Sequence, residues 1–100
     1  MAEIYTREGL ISALLPVFAK HEIKSATLFG SYAKNTADKH SDVDLVVDSG
    51  LRGLAFYGLL EDISETLSIP VDLLDISQIE PDSAVAREIQ KTGVCIYECA

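Results

Sequence analysis

The sequence predicts an α/β fold in which a small β-sheet is covered by helices. Along its 100 residues, amphipathic stretches with helical spacing alternate with short apolar runs typical of buried strands. The order of these segments (α, β, a short α turn, β, α, β, α and a final short β) is that of an α/β sandwich. No repeat, low-complexity tract or linker divides the chain, and its length suits one core. We therefore expect residues 1–100 to form a single domain.

A helix and two strands are predicted for the first half of the chain. Thr6 is a suitable N-cap for a helix that reaches about Lys20. Pro16 is expected to kink or divide this helix because proline removes a backbone hydrogen bond. A strand is expected over residues 23–29, and a short helical turn with a polar loop over residues 31–41. A second strand is expected over residues 42–47.

The second half is predicted to contain two helices and one or two strands. Residues 51–67 carry their apolar side chains on one stripe, which indicates an amphipathic helix. A third strand is expected over residues 70–76, where proline is tolerated because it lies at the beginning. Asp82 is a candidate N-cap for the last helix, and Gly93 is its expected stop. Residues 94–97 form a short strand or an extended tail.

The charge of the chain restricts its partners. Sixteen Asp and Glu residues stand against eight Lys and Arg, which gives a net charge of −8 at pH 7. Direct nucleic-acid binding is not expected, since it needs a basic surface that displaces counterions. A basic protein or a cationic small molecule fits better. No apolar run has the length of a membrane span and the N-terminus lacks a signal-peptide pattern, so we expect a cytoplasmic protein without membrane association.

Two carboxylates open the second predicted strand. Asp42 and Asp44 are spaced by two, so their side chains project to the same face of an extended strand. Two like charges about 4 Å apart repel by roughly 4 kcal/mol at an effective dielectric near 20. A Mg²⁺ ion would relieve this repulsion, because it binds carboxylate oxygens and keeps substrate phosphates as further ligands. An ordinary solvated strand start is the alternative.

A Gly-Ser turn precedes the carboxylate pair. Gly30 and Ser31 end the first predicted strand, and ten residues separate Ser31 from Asp42. Backbone N–H groups in such a turn can bind phosphates, although an ordinary turn glycine and a helix cap are the simpler interpretations. A phosphate-binding turn beside a carboxylate pair that binds metal indicates a nucleotide-binding site.

Residues 28–35 and 41–45 together resemble the signature of the DNA polymerase β-like nucleotidyltransferase superfamily, and in particular its smallest branch, the minimal nucleotidyltransferases (MNT). Residues 69–74 resemble the strand that carries the third carboxylate of the family, and residues 89–98 resemble the usual MNT ending. The resemblance implies a mixed sheet like that of the polymerase β palm. Lys34 and Asn35 are departures, because MNT members most often carry Arg and Gly there.

The resemblance also implies residue roles. Gly30 and Ser31 would bind the phosphates of a nucleoside triphosphate, most simply ATP, and Asp42 and Asp44 would hold two Mg²⁺ ions. Asp72 would be the third metal ligand and a possible base for the attacking hydroxyl.

Asp75 is the alternative for this third carboxylate. Along the predicted strand, Asp72 and Leu74 point to one face, whereas Leu73 and Asp75 point to the other. Only one of the two aspartates can therefore share a face with the carboxylate pair. Asp72 is preferred because it follows the Ile-Pro-Val run at which the family places its third carboxylate.

The function implied is transfer of AMP from ATP to a hydroxyl acceptor, with release of pyrophosphate. MNT proteins are typically encoded beside HEPN-domain proteins as toxin–antitoxin pairs. The resemblance thus implies an antitoxin that binds its HEPN toxin and adenylylates it on a tyrosine, in a hetero-oligomer or as a homo-oligomer. The alternatives are a non-catalytic antitoxin that neutralises its partner by contact, and a small-molecule nucleotidyltransferase.

Overall fold

The computed structural model describes residues 5–34, 36–38 and 41–98. Within them lie three α-helices, four β-strands and a 3₁₀ turn. In chain order these are α1 Arg7–Lys20, β1 Ser25–Phe29, β2 Val43–Asp48, α2 Leu54–Leu67, β3 Val71–Asp75, the 3₁₀ turn Ile76–Gln78, α3 Ala84–Thr92 and β4 Val94–Glu98. In this part of the chain no helix has the length and apolar character needed to cross a bilayer.

The four strands form one mixed sheet in the order β3-β2-β1-β4. β1 is antiparallel to both β2 and β4, whereas β2 and β3 are parallel. This confirms the predicted small mixed sheet. The first, third and fifth residues of β2 are fully buried and belong to the main core, together with apolar residues of α1 and α2. The alternate residues of β2, including Asp44, therefore lie on the opposite face of the sheet.

The ends of the helices follow from their capping residues, with two differences from expectation. Thr6 caps α1 as predicted, since its hydroxyl accepts a hydrogen bond from the Gly9 amide. α1 continues through Pro16, so of the two expected effects of the proline the division of the helix is wrong. Buried leucines before the proline and Phe18 after it belong to one continuous helix. The N-cap of α3 is Ser83 rather than Asp82, because Asp82 has a left-handed φ of 66° and lies outside the helix.

β3 ends at a buried carboxylate. The Asp75 side chain is 6% exposed and accepts hydrogen bonds from the amide and hydroxyl of Ser49 and from those of Ser77. Its own amide donates to Gln78 in the 3₁₀ turn, which is why the strand stops one residue earlier than predicted. Burial alone would raise the pKa of Asp75, but the hydrogen bonds from Ser49 and Ser77 outweigh burial and lower the pKa to about 2. The folded protein therefore favours the ionised form.

We expect Asp75→Asn to lower the free energy of unfolding by about 2 kcal/mol at neutral pH, because folding lowers the pKa of the Asp75 carboxyl to about 2 and asparagine carries no charge. The contribution of the wild-type carboxylate is complete above the unfolded pKa near 4 and is lost as the pH falls toward 2. Urea unfolding from pH 7 to pH 3 measures both effects. Asp82→Asn is the control, since Asp82 is exposed and asparagine tolerates its left-handed backbone. Equal stability of the two variants at pH 7 would contradict this role for Asp75.

Candidate active site

The candidate site lies where β1 ends and where β2 and β3 begin. Asp44 on β2 is paired with Phe29 on β1 and with Asp72 on β3. The parallel strands start at the same end of the sheet, and antiparallel β1 arrives there and continues into Gly30. Three separate segments thereby bring Gly30, Asp44 and Asp72 to the same end of the sheet. Asp42 precedes β2 and is exposed, as is Asp72.

Gly30 is in direct contact with the Asp44 carboxylate. Its φ of +77° lies in the left-handed region that glycine adopts readily. A Cβ atom at this position would overlap Asp44 Oδ2 and would lie 3.3 Å from Cγ. The backbone conformation therefore favours glycine, and a side chain at this position would displace the Asp44 carboxylate. The turn that follows is closed by hydrogen bonds from the Lys34 amide to the Gly30 carbonyl (3.1 Å) and from the Thr36 amide to the Ser31 carbonyl (2.9 Å).

The Gly30 amide is already engaged within the protein. It donates to Thr92 Oγ1 at the end of α3, at an N–O distance of 3.0 Å. The sequence interpretation treated the backbone amides of the Gly30-Ser31 turn as phosphate donors, so in this arrangement the Gly30 contribution differs from expectation. Gly30 supplies close approach and a fixed turn, and Ser31, which is half-buried, is the residue of the pair left to contact a phosphate.

The carboxylates repel one another. The pKa of Asp44 is raised to about 6, first by its partial burial and then by the charges of Asp72, Asp42 and Glu88. In the described residues no three His, Cys, Asp or Glu side chains converge closely enough to hold a metal ion. Asp42 and Asp72 are exposed, so their side chains have room to rotate toward Asp44. A half-buried carboxylate with like charges around it is chemically suited to a hard divalent cation.

The structure separates the two candidates for the third carboxylate. Asp72 is exposed and lies directly beside Asp44 in the register of β2 and β3. Asp75 is buried on the other face, where Ser49 and Ser77 donate hydrogen bonds to both of its oxygens. Asp75 therefore has a structural role, and Asp72 is the carboxylate available to the site.

Three residues near the site make contacts that the sequence did not indicate. Glu88 on α3 lies 4.0 Å from Lys34 Nζ, Thr92 accepts the Gly30 amide, and Arg7 donates from Nη2 to the Ala33 carbonyl. Each contact joins segments at least 26 residues apart, so no local pattern could have shown it. Tyr32, which follows Ser31 in the turn, is 3% exposed and packs in the core.

A mixed sheet with a glycine turn and two carboxylates at one end is the arrangement expected of a nucleotidyltransferase. The chain belongs to the polymerase beta nucleotidyltransferase family, whose family model matches residues 13–99. It is similar to a Methanocaldococcus jannaschii protein named a putative protein adenylyltransferase, with 35% identity over 71 residues that cover 68% of this chain and 75% of the relative. A second relative of that organism with the same description is 39% identical over 57 residues, which cover 55% of this chain and 58% of the relative.

Solved structures share the fold. A chain of a toxin–antitoxin crystal structure with AMP-PNP matches with a TM-score of 0.75 and 20% identity, over 89% of this chain and 73% of that chain. A chain from a complex of tri-AMPylated Shewanella oneidensis HEPN toxin with MNT antitoxin matches with a TM-score of 0.68 and 18% identity, over 90% of this chain and 71% of that chain. A structure described as a putative minimal nucleotidyltransferase matches with a TM-score of 0.67 and 24% identity, over 84% of this chain and 86% of that chain. These matches confirm the predicted fold.

We expect Asp44→Asn to raise the free energy of unfolding by about 1 kcal/mol at neutral pH, after allowance for solvent screening, because it removes a charge that folding disfavours. The raised pKa means that the wild-type penalty is present above about pH 6 and disappears as the pH falls toward 4. The advantage of the variant should disappear over the same range. Urea unfolding in chelator at low salt measures the difference.

Asp48→Asn is the matched control, since Asp48 lies on the same strand and face, about 13 Å from Asp44. A clear loss of stability in Asp44→Asn would mean that the carboxylate makes stabilising native interactions and that its role is partly structural.

Proposed function

We propose that this protein is a Mg²⁺-dependent adenylyltransferase that transfers AMP from ATP to a hydroxyl group. We further propose that the acceptor is a tyrosine of a HEPN-domain toxin and that the protein is the antitoxin of that pair. The observation that carries the proposal is the placement of Asp44 between the glycine turn and Asp72. That placement puts the glycine turn and two carboxylates at one end of the sheet.

The relatives support the choice of reaction. Family membership indicates nucleotidyl transfer, and the curated relatives described as adenylyltransferases favour AMP as the transferred group and a protein as the acceptor. Complexes of similar folds with HEPN toxin, including one with AMPylated toxin, favour the partner. The net charge of −8 suits a partner that is more basic than this chain.

The reaction joins the acceptor oxygen to the α-phosphorus of ATP. The bond from the α-phosphorus to the oxygen that bridges to the β-phosphate breaks, and pyrophosphate leaves with that electron pair. Ser31 would contact the triphosphate from the turn, while Gly30 allows the backbone and the carboxylate to approach each other closely. Asp72, which is exposed beside Asp44, would accept the proton of the attacking hydroxyl.

Asp42, Asp44 and Asp72 are the residues that would hold the metal. When bound, Mg²⁺ would neutralise the triphosphate charge and orient it for in-line displacement. The raised pKa of Asp44 fits this assignment, because a cation would replace the repulsion from neighbouring carboxylates with attraction. ATP with Mg²⁺ would thereby stabilise the folded protein by mass action.

Labelled AMP transfer to the HEPN partner tests the proposal. We expect Asp44→Asn and Asp72→Asn to lower the transfer rate by at least about 10³-fold, since positioning and charge neutralisation provide most of the acceleration in two-metal sites. Asp48→Asn is expected to retain the wild-type rate. Mass spectrometry of the modified partner identifies the acceptor residue.

Two outcomes of the AMP-transfer assay would contradict parts of the proposal. Absence of transfer by the wild type, with toxin neutralisation intact, would favour a non-catalytic antitoxin. Full transfer by Asp72→Asn would remove Asp72 from the chemistry, whatever the acceptor.

A further inference from the structure

We propose that Thr92 is a positioning residue for the nucleotide-binding turn: its hydroxyl fixes the Gly30 peptide so that Ser31 faces the phosphates. This inference rests on the proposed function, in which Ser31 contacts the triphosphate. Thr92 lies at the last position of α3, 62 residues from Gly30 in the sequence. It would act through the turn and would not touch the reacting atoms.

The Thr92 hydroxyl both donates and accepts a hydrogen bond. Oγ1 donates to the Glu88 carbonyl one turn earlier in α3 (2.9 Å) and accepts the Gly30 amide (3.0 Å). The donated bond orients the hydroxyl, which leaves a lone pair directed at the Gly30 amide. The rotamer of Thr92 and the position of Gly30 are thereby coupled through one oxygen atom.

Gly30 is the point of the turn that most needs such a constraint. Glycine has more backbone freedom than any other residue, and here it must hold a φ of +77° while its Cα lies against the Asp44 carboxylate. Its carbonyl accepts the Lys34 amide, and its N–H is fixed by Thr92. Loss of the Thr92 bond would free one side of this peptide, and Ser31, the next residue, would move with it.

Among the described residues, few other contacts anchor α3 to the turn. None of the nine residues of α3 is fully buried, so core packing holds the helix weakly. The contact between Lys34 Nζ and Glu88 Oε1 is 4.0 Å long and joins two exposed side chains, which contributes little in water. At Gly93 the chain passes so close to the Ile89 carbonyl and the Thr27 methyl that a Cβ would not fit. Gly93 thereby places the end of α3 against β1, and Thr92 makes the direct bond to the turn.

The test compares Thr92→Val, which has the same shape without the hydroxyl, with Thr92→Ser, which keeps it. Thr66→Val is the matched control, because Thr66 is exposed on α2. The first measurement is the hydrogen-exchange rate of the Gly30 amide in the protein without nucleotide. We expect faster exchange in Thr92→Val, and exchange close to the wild-type rate in Thr92→Ser and Thr66→Val.

The second measurement is the affinity for AMP-PNP with Mg²⁺, by calorimetry on the full chain. We expect about tenfold weaker binding for Thr92→Val, the scale of one lost hydrogen bond that leaves its partner unsatisfied. Thr92→Ser and Thr66→Val should lie within about twofold of the wild type. The melting temperature of each variant shows that the compared proteins are folded.

Several results would overturn the inference. Unchanged Gly30 exchange in Thr92→Val would show that the hydroxyl does not hold the turn. Equal weakening of nucleotide binding in Thr92→Val and Thr92→Ser would assign the effect to packing, and unchanged affinity in Thr92→Val would remove any positioning role. If the wild type itself binds no AMP-PNP, the proposed function fails, and the exchange rate still decides whether Thr92 fixes Gly30.

Discussion

The site depends on the placement of Asp44 directly beside Asp72 in two parallel strands. Like charges in opposed positions are unfavourable, and partial burial adds to the cost, as the raised pKa of Asp44 indicates. The register that enforces this pairing is fixed on the other face of the sheet, where Val43 and Leu45 are fully buried. A slip of one residue would expose those side chains, so the hydrophobic core maintains an electrostatically unfavourable arrangement.

The two aspartates of β3 show how the alternation of a strand separates structure from function. Asp72 lies on the exposed face, where no core contact fixes its side chain. Asp75 lies on the core face, where four hydrogen bonds keep it ionised and connect the end of β3 to Ser49 after β2. The same residue type thus stabilises the fold at one position and is available for chemistry three residues away.

A chain of 100 residues supports its glycine turn from several elements. Arg7 at the start of α1 donates to the Ala33 carbonyl, and Thr92 at the end of α3 accepts the Gly30 amide. Asp44 lies against the same turn from β2. Among the described residues, the first and last helices therefore both contact the glycine turn, which explains how a flexible glycine is held in one conformation.

The sequence by itself determined the strands and helices to within a few residues, the mixed sheet through the family resemblance, and the pairing of the Gly30 turn with Asp44. Those features follow from local periodicity and from a motif of fixed spacing. The choice of Asp72 over Asp75 was favoured by the resemblance, but burial and hydrogen bonding decided it. The cap at Ser83, the continuity of α1 and the Thr92 bond to Gly30 came from the tertiary structure alone. They depend on packing and on contacts between segments far apart in the chain, which no local pattern records.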